Sequence, residues 1–370
     1  MTRCMKLALA VLLVLLSVPV AGFGPPTLID SDSASIPVTS TTLREMKADE
    51  PPAIAAKAAV LIDAATGQVL FEKNVHERRA PASTTKMMTA LVTLEHARLD
   101  DVVTAGPDVK TVIPSIIGLE PGDKLTVEQM LYGLLLPSSN DAAVALADHV
   151  AGSIPKFAAM MNAKVAELGL KDTHFVTPHG LDVDGHYSSA YDLAMIARAA
   201  MQNPTFEKIV STREYRIEGP PAWLFRSLND LLGAYPGADG VKTGYTDNAG
   251  HCLVFSATRD GRRAISVVLD GDAVWTDSTA LMDYFFANYS WESLNVADSP
   301  LMDYTQGDQL RRATAKAVPQ VVFPSWQRPY LRWYFSLSDA ASRAEGLVGT
   351  ASYYLFGKMA GQIQLYGVGG

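Results

Sequence analysis

Pro81-Ala82-Ser83-Thr84-Thr85-Lys86-Met87-Met88-Thr89-Ala90-Leu91-Val92-Thr93-Leu94 is the stretch on which the reading turns. Met87, Met88, Leu91 and Leu94 recur at helical spacing behind Pro81-Ala82-Ser83, which predicts a helix over roughly residues 83–97 with one face deeply buried. A three-residue step at its start puts Ser83 and Lys86 on one face about a turn apart, a geometry that suits a nucleophile and its base. A lone Ser-x-x-Lys is a weak signal, because a helix cap followed by an exposed lysine explains most of them. Two further polar elements stand downstream. Ser138-Ser139-Asn140 follows the apolar Leu134-Leu135-Leu136-Pro137 and precedes a helical pattern; read alone it is a helix cap. Lys242-Thr243-Gly244 follows Gly240-Val241 and precedes the strand-like Cys252 to Ala257; read alone it belongs to an ordinary hairpin.

Around these elements the pattern predicts strands at 58–63 and 68–72, joined by Ala64-Ala65-Thr66-Gly67, and strands at 251–257 and 263–269 joined at Asp260-Gly261. Helices are expected near 154–168, 189–202 and 276–288, and Thr126 with Gln129 forms a candidate capping box. Strands at both ends thus enclose a helical middle. Beyond about residue 291 short β-rich runs such as Tyr330 to Leu337 and Gly349 to Phe356 suggest a second, all-β domain over 291–370. Residues 23–52, rich in Pro, Ser, Thr and Asp, read as a linker ahead of a main domain at 53–290.

Composition narrows the function classes. With 48% hydrophobic and 19% charged residues among 370, the chain is globular, and a net charge of −8 has the wrong sign for a protein that lives by phosphate contacts, so nucleic-acid binding is excluded. Arg3 and Lys6 precede an apolar run from Leu7 to Leu16 that continues to Ala21-Gly22, the order of a secretory signal peptide over residues 1–22. Export to the periplasm or another extracytoplasmic part of the envelope follows. Cleavage would remove two positive charges and Cys4, leaving Cys252 alone, so the mature chain can form neither an internal disulfide nor a cysteine metal cluster.

The three polar elements together are far more specific than any one of them. Ser-x-x-Lys, then Ser-x-Asn 55 residues on, then Lys-Thr-Gly after about another hundred, resembles the signature of the penicillin-recognising serine acyl enzymes. The chain resembles in particular the low-molecular-mass penicillin-binding proteins that are D-alanyl-D-alanine carboxypeptidases, through Pro81 to Lys86, Pro178-His179-Gly180-Leu181, Asp239 to Gly244 and Thr246-Asp247-Asn248-Ala249-Gly250. The resemblance covers about residues 53 to 290 and continues weakly into the tail at Gly346 to Thr350. It implies an α+β fold, a penicillin-binding/β-lactamase-like catalytic domain whose antiparallel sheet has helices on both sides, followed by a small all-β domain. It also implies peptidoglycan stem peptides as substrate, β-lactams as covalent inhibitors, and no cofactor or metal.

Roles follow from the same resemblance. Ser83 would be acylated with Lys86 as its base, since a serine hydroxyl needs a group to take its proton and no Ser/His/Asp set is visible. Burial and a second cation, Lys242, would lower the Lys86 pKa far enough for that work. Ser138 would relay a proton to the leaving group and Asn140 would bond Lys86 or the substrate amide. Lys242 and Thr243 would grip the terminal carboxylate. Gly244 and Tyr245 complete the substrate strand, the Ser83 and Tyr245 backbone N–H groups forming the oxyanion site. Two features depart from the family. No arginine for the substrate carboxylate is found at Leu228 or over Asp270 to Thr276, and the family's C-terminal amphipathic membrane helix is not seen before Tyr366 to Gly370, which leaves peripheral membrane contact without a visible anchor.

A class A β-lactamase needs a deacylating glutamate before Lys-Thr-Gly, and none lies between Asp172 and Tyr187. His179 and His186 flank Asp182 and Asp184 without metal-binding spacing, and Gly240-Val241-Lys242-Thr243 lacks the glycine that directly precedes the lysine of a phosphate loop. Trp326, Tyr330, Trp333, Tyr334 and Phe335 read as alternating β core. A D,D-endopeptidase of peptidoglycan crosslinks and a peptidoglycan-binding scaffold without turnover stay open.

Overall fold

The computed structural model describes residues 27–30, 50–219, 221–293, 296, 302–306, 309–318, 320–337, 346–355 and 358–367. The apolar run read as a signal peptide and most of the 23–52 linker lie outside them. The described chain forms two compact units. One takes the described residues up to Ser293 from Glu50 together with Gln320–Arg328, and the other takes Thr27–Asp30 and the remaining C-terminal residues.

The larger unit is built on a five-stranded antiparallel sheet of β1 (Ala58–Asp63), β2 (Val69–Lys73), β3 (Ala238–Thr246), β4 (Gly250–Arg259) and β5 (Arg262–Leu269), in the order β2-β1-β5-β4-β3. The inner strands β1, β5 and β4 are buried on both faces, so they read as near-continuous apolar runs rather than as alternation. On one face Ala58, Val60 and Ile62 join the main core, and on the other Ala59 and Leu61 join a second cluster. The main core lies under α1 (Lys86–His96), α2 (Val127–Leu135), α3 (Asn140–Ala151), α4 (Ile154–Glu167), α5 (Ala190–Ala200) and α6 (Pro204–Val210). The second cluster is covered by α7 (Val274–Asn288) through Leu281, Met282 and Phe285. This is the α+β arrangement with helices on both sides of an antiparallel sheet.

Local chemistry sets several boundaries. Thr126 and Gln129 exchange both bonds of a capping box at the start of α2. Asp260 and Gly261, both at positive φ, make the two-residue turn between β4 and β5 that matches strand twist. The helix expected near residue 83 opens as a tight 3-10 turn, Ala82–Thr85, before α1 begins at Lys86. Ala82 has a φ of 47°, and Gly180 is the reason the turn can sit where it does. A Cβ on Gly180 would lie 1.9 Å from the Ala82 carbonyl oxygen, so the two backbones touch with no room for a side chain.

The smaller unit is a six-stranded antiparallel sheet in the order Thr27–Asp30, Leu331–Leu337, Leu347–Leu355, Lys358–Gly367, Gln309–Ala315, Asp303–Gln306. Two segments depart from the sequence reading. Thr27–Asp30, within the stretch read as linker, pairs with Leu331–Leu337, and Gln320–Pro324, placed by sequence in the C-terminal domain, pairs with Tyr289–Ser293 and buries Val322 in the larger unit. Strand pairing between segments far apart in sequence decided both.

Candidate active site

Ser83 sits in the 3-10 turn and Lys86 at the first position of α1, so the turn and helix together present both to the same side. Lys86 is fully buried, and its Nζ lies 2.8 Å from Ser83 Oγ, 2.7 Å from Asn140 Oδ1 and 2.9 Å from the His179 carbonyl oxygen. The chemistry of those partners fixes the amine's orientation. Asn140 Oδ1 and the His179 carbonyl only accept hydrogen bonds, so a neutral amine gives its two N–H groups to them and turns its lone pair toward Ser83. A protonated amine donates to all three, and loss of one proton converts the third contact into Ser83 O–H donating to Lys86.

The electrostatics favour the neutral form. Burial holds the Lys86 pKa well below the ordinary lysine value, the Lys242 charge lowers it further, and the Asp141 carboxylate opposes both. Lys242 is 2% exposed, and burial brings its pKa down to about 7. Its Nζ donates to the Thr243 carbonyl at 2.9 Å. A buried amine without a carboxylate partner is costly unless an anion arrives, so the Lys242 position is suited to receive one.

Asn140 opens α3 and is held by the loop in front of it. Its backbone N–H donates to the Ser115 carbonyl at 2.7 Å and its Nδ2 donates to the Pro114 carbonyl at 2.6 Å. With Nδ2 committed, Oδ1 can only face Lys86. Asp141 accepts from the backbone N–H groups of Ile117, Gly118 and Leu119, which fastens the same loop over the helix start. Ser138, two residues before Asn140, is 4% exposed and has a φ of 63°, a left-handed conformation that costs a non-glycine residue about 1 kcal/mol or more. Strain of this kind is kept where surrounding contacts over-determine a position.

The third element comes from the sheet. Lys242-Thr243-Gly244 lies in β3, the edge strand, which forms a hairpin with β4, and Gly244 passes directly over the serine turn. A Cβ there would lie 3.1 Å from both Ala82 Cβ and the Ser83 backbone nitrogen. Tyr245 follows, half exposed, its hydroxyl donating to Asp247 at 3.1 Å, and Thr246 Oγ1 donates to Asp182 at 2.9 Å. Ser83, Lys86 and Asn140 are therefore directly bonded. Gly244 packs on Ser83, Lys242 acts on Lys86 through its charge, and Thr243 and Tyr245 flank the same strand.

Several contributors carried no sequence signal of role. His179 acts through its backbone carbonyl, and its ring, with a pKa brought down to about 3 chiefly by burial and then by Lys86, accepts at Nδ1 from the Leu181 N–H. His186 is likewise neutral, its pKa lowered to about 4 mainly by burial. Its Nδ1 accepts from the Val176 and Thr177 N–H groups, which leaves Nε2–H to donate to Thr85 Oγ1 at 2.9 Å. Both rings are thus engaged in holding the loop against the serine turn. Asn229 Nδ2 donates to the Gly240 carbonyl and braces β3 two residues before Lys242. Leu228, at a place where an arginine is expected, stands 50% exposed, its N–H donating to the Leu136 carbonyl.

Comparison with known proteins points the same way. The profile described as D-alanyl-D-alanine carboxypeptidase, Peptidase_S11, matches residues 45–273. The D-alanyl-D-alanine carboxypeptidase DacF of Bacillus subtilis is 42% identical over 250 residues, 65% of this chain and 64% of the relative. DacA of Escherichia coli is 43% identical over 235 residues, 60% of this chain and 57% of the relative. The chain spans about three-fifths of the length of these curated relatives. Among solved structures, penicillin-binding protein 5 of Haemophilus influenzae superposes with a TM-score of 0.74 at 30% identity, covering 86% of this chain and 98% of that one. The Streptomyces K15 DD-transpeptidase superposes with a TM-score of 0.60 at 38% identity over 64% of this chain and 98% of its own.

Proposed function

The chain belongs to the D-alanyl-D-alanine carboxypeptidase family, and from that premise we propose that it removes the terminal D-alanine of peptidoglycan stem peptides through an acyl-enzyme on Ser83. The observation that carries the reading is the 2.8 Å contact between Ser83 Oγ and a buried amine whose other two partners are acceptors.

In this reading neutral Lys86 takes the Ser83 proton as Oγ attacks the penultimate D-alanine carbonyl. The oxyanion that forms accepts from the Ser83 and Tyr245 backbone N–H groups. The proton passes by way of Ser138 to the nitrogen of the departing D-alanine, the C–N bond breaks, and an ester on Ser83 remains. Protonated Lys242 and Thr243 hold the substrate's terminal carboxylate, and Asn140 keeps the Lys86 lone pair on Ser83. Water then attacks the ester, Lys86 takes its proton, and Ser83 is regenerated as the shortened peptide leaves. A β-lactam would enter by the same attack and remain bound as a slowly hydrolysed ester.

The N-terminal apolar run supports an exported protein acting in the cell envelope. Among the described residues no helix is long and apolar enough to cross a membrane. The test is D-alanine release from a pentapeptide ending in D-alanyl-D-alanine, with and without prior penicillin. Release that penicillin abolishes is the expected result. No release and no covalent label from penicillin would overturn the proposal.

A further inference from the structure

The end of the main sheet away from Ser83 carries a second cavity. Gly244, over the serine turn, pairs with Cys252, and Arg259, further along β4, pairs with Arg262 at the start of β5. From Cys252 to Arg259, at about 3.3 Å per residue, is about 23 Å along the strand. There a cavity of about 260 Å³ has Asp63, Gln202, Arg262, Arg263, Trp291 and Gln320 in its lining. None of these is bonded to Ser83 or Lys86, and a ligand held there leaves the reacting centre open.

The polar groups of this cavity divide into those already engaged and those held ready. Asp63 is fully buried, and its carboxylate accepts from Trp291 Nε1 at 2.9 Å and from the Thr66 N–H and hydroxyl at 2.8 and 2.6 Å. Arg263 is paired with Asp239 and Glu207. Arg262 differs: its guanidinium lies 5.0 Å above the Trp291 ring, and among the described residues no hydrogen bond or ion pair uses its N–H groups. The indole beneath it is fixed in turn, because Asp63 holds its nitrogen and the Phe285 ring meets it edge to face with centroids 4.5 Å apart. The side-chain amides of Gln202 and Gln320, both exposed, are also without a partner among the described residues. A guanidinium held by stacking keeps its planar fork free for a two-point bond to a carboxylate, and each amide can both give and accept a hydrogen bond. Together they suit a ligand that carries an acid group beside hydroxyl and acetamido groups. The volume, smaller than a site for a whole drug-sized molecule, matches one sugar ring rather than a length of peptide.

We propose that this cavity is a non-catalytic site for peptide-free glycan of the wall polymer, an N-acetylated amino sugar whose ether-linked lactyl carboxylate is uncapped. Arg262 takes the carboxylate, and Gln202 and Gln320 take the acetamido and hydroxyl groups. A lactyl group from which a stem peptide hangs is an amide, uncharged and with an N–H of its own, so the guanidinium favours glycan from which the peptide has been stripped. The choice of polymer rests on the peptidoglycan reading given above, whereas the cavity itself needs no acyl-enzyme. The protein is thereby held on the polymer at one end of the sheet while Ser83 stays free for stem peptides at the other.

The probe is a peptide-free disaccharide with a free lactyl carboxylate, titrated into the unmodified protein while the Trp291 indole N–H, assigned through Trp291→Phe, is followed by NMR. Its comparison is the same disaccharide with that carboxylate converted to an amide. The acid is expected to move the indole signal, and to do so equally after penicillin has acylated Ser83. Arg262→Met is expected to weaken the acid by about ten-fold or more, the usual worth of a hydrogen bond to a charged group, to leave the amide's Kd as it was, and Arg262→Lys to recover part of the loss. Arg262 is exposed, and matching thermal unfolding of the variants excludes a folding effect. An indole signal that does not move, an equal loss for acid and amide, or binding that penicillin abolishes would overturn the proposal. A free stem tetrapeptide or inorganic phosphate that moves the signal as strongly as the disaccharide would overturn the assignment to glycan. Penicillin labelling without a moved signal rejects only this site, and a moved signal without labelling rejects only the acyl-enzyme.

Discussion

Replacing Asn140 by aspartate exchanges one N–H₂ group for an oxygen and places a negative charge beside the amine the mechanism needs neutral. Asn140 Oδ1 is 2.7 Å from Lys86 Nζ, and at an effective dielectric near 20 a unit charge at that distance interacts by about 6 kcal/mol. The new carboxylate loses part of this to its own desolvation at a buried site. If a third survives, about 2 kcal/mol remains, which cuts the share of neutral Lys86 roughly thirty-fold at a given pH. The sign is unambiguous: a nearby anion raises the Lys86 pKa, so the basic limb of the acylation rate moves to higher pH. The assay is single-turnover acylation by a chromogenic β-lactam from pH 5 to 10, with Asn140→Ala as the control that loses both hydrogen bonds without adding charge. A limb in Asn140→Asp that coincides with that of Asn140→Ala would refute the argument.

Asp141→Asn works in the opposite direction. It removes the charge that raises the Lys86 pKa, so the limb moves to lower pH, while weaker acceptance from the Ile117, Gly118 and Leu119 N–H groups costs about 2–4 kcal/mol of stability, read as a lower denaturation midpoint. Gly180→Ala drives a methyl group into the Ala82 carbonyl and puts alanine at a φ of 87°, so a loss of about 2–4 kcal/mol and slow acylation are expected from thermal unfolding and penicillin labelling together. Lys242, with a pKa of about 7, carries its charge below that pH and loses it above, so KM for a carboxylate-ended peptide rises as pH passes through the region of 7. A KM unchanged from pH 6 to 9 would contradict that assignment.

What could be read from sequence was what depends on near neighbours. The capping box at Thr126 and Gln129 and the Asp260-Gly261 turn each lie within a few residues and rest on side-chain type, so their structure follows from composition alone. The helix pattern of Met87, Met88 and Leu91 signalled burial, and Lys86, at the first position of the same helix, is buried with them. Other parts depend on partners far off in the chain. Thr27–Asp30 has no periodicity of its own, and its strand exists through pairing with Leu331–Leu337. The Pro204–Val210 helix spans too few residues to show a period. The Lys86 contact to His179 is to a backbone carbonyl, which every residue type supplies, so no choice of side chain could announce it. Gly180 is visible as a glycine, yet the Ala82 carbonyl it must clear is visible only in three dimensions.

The central claim is that Ser83 carries the acyl group and Lys86 makes it reactive. It is tested most directly by peptide mapping after exposure to penicillin, with the rate of labelling followed in the unmodified protein, Ser83→Ala and Lys86→Met. The account predicts an adduct on Ser83 alone, none in Ser83→Ala, and labelling slowed by at least a hundred-fold in Lys86→Met, in line with the usual contribution of a positioned base. An adduct on another residue, or Lys86→Met labelled at the unmodified rate, would contradict it.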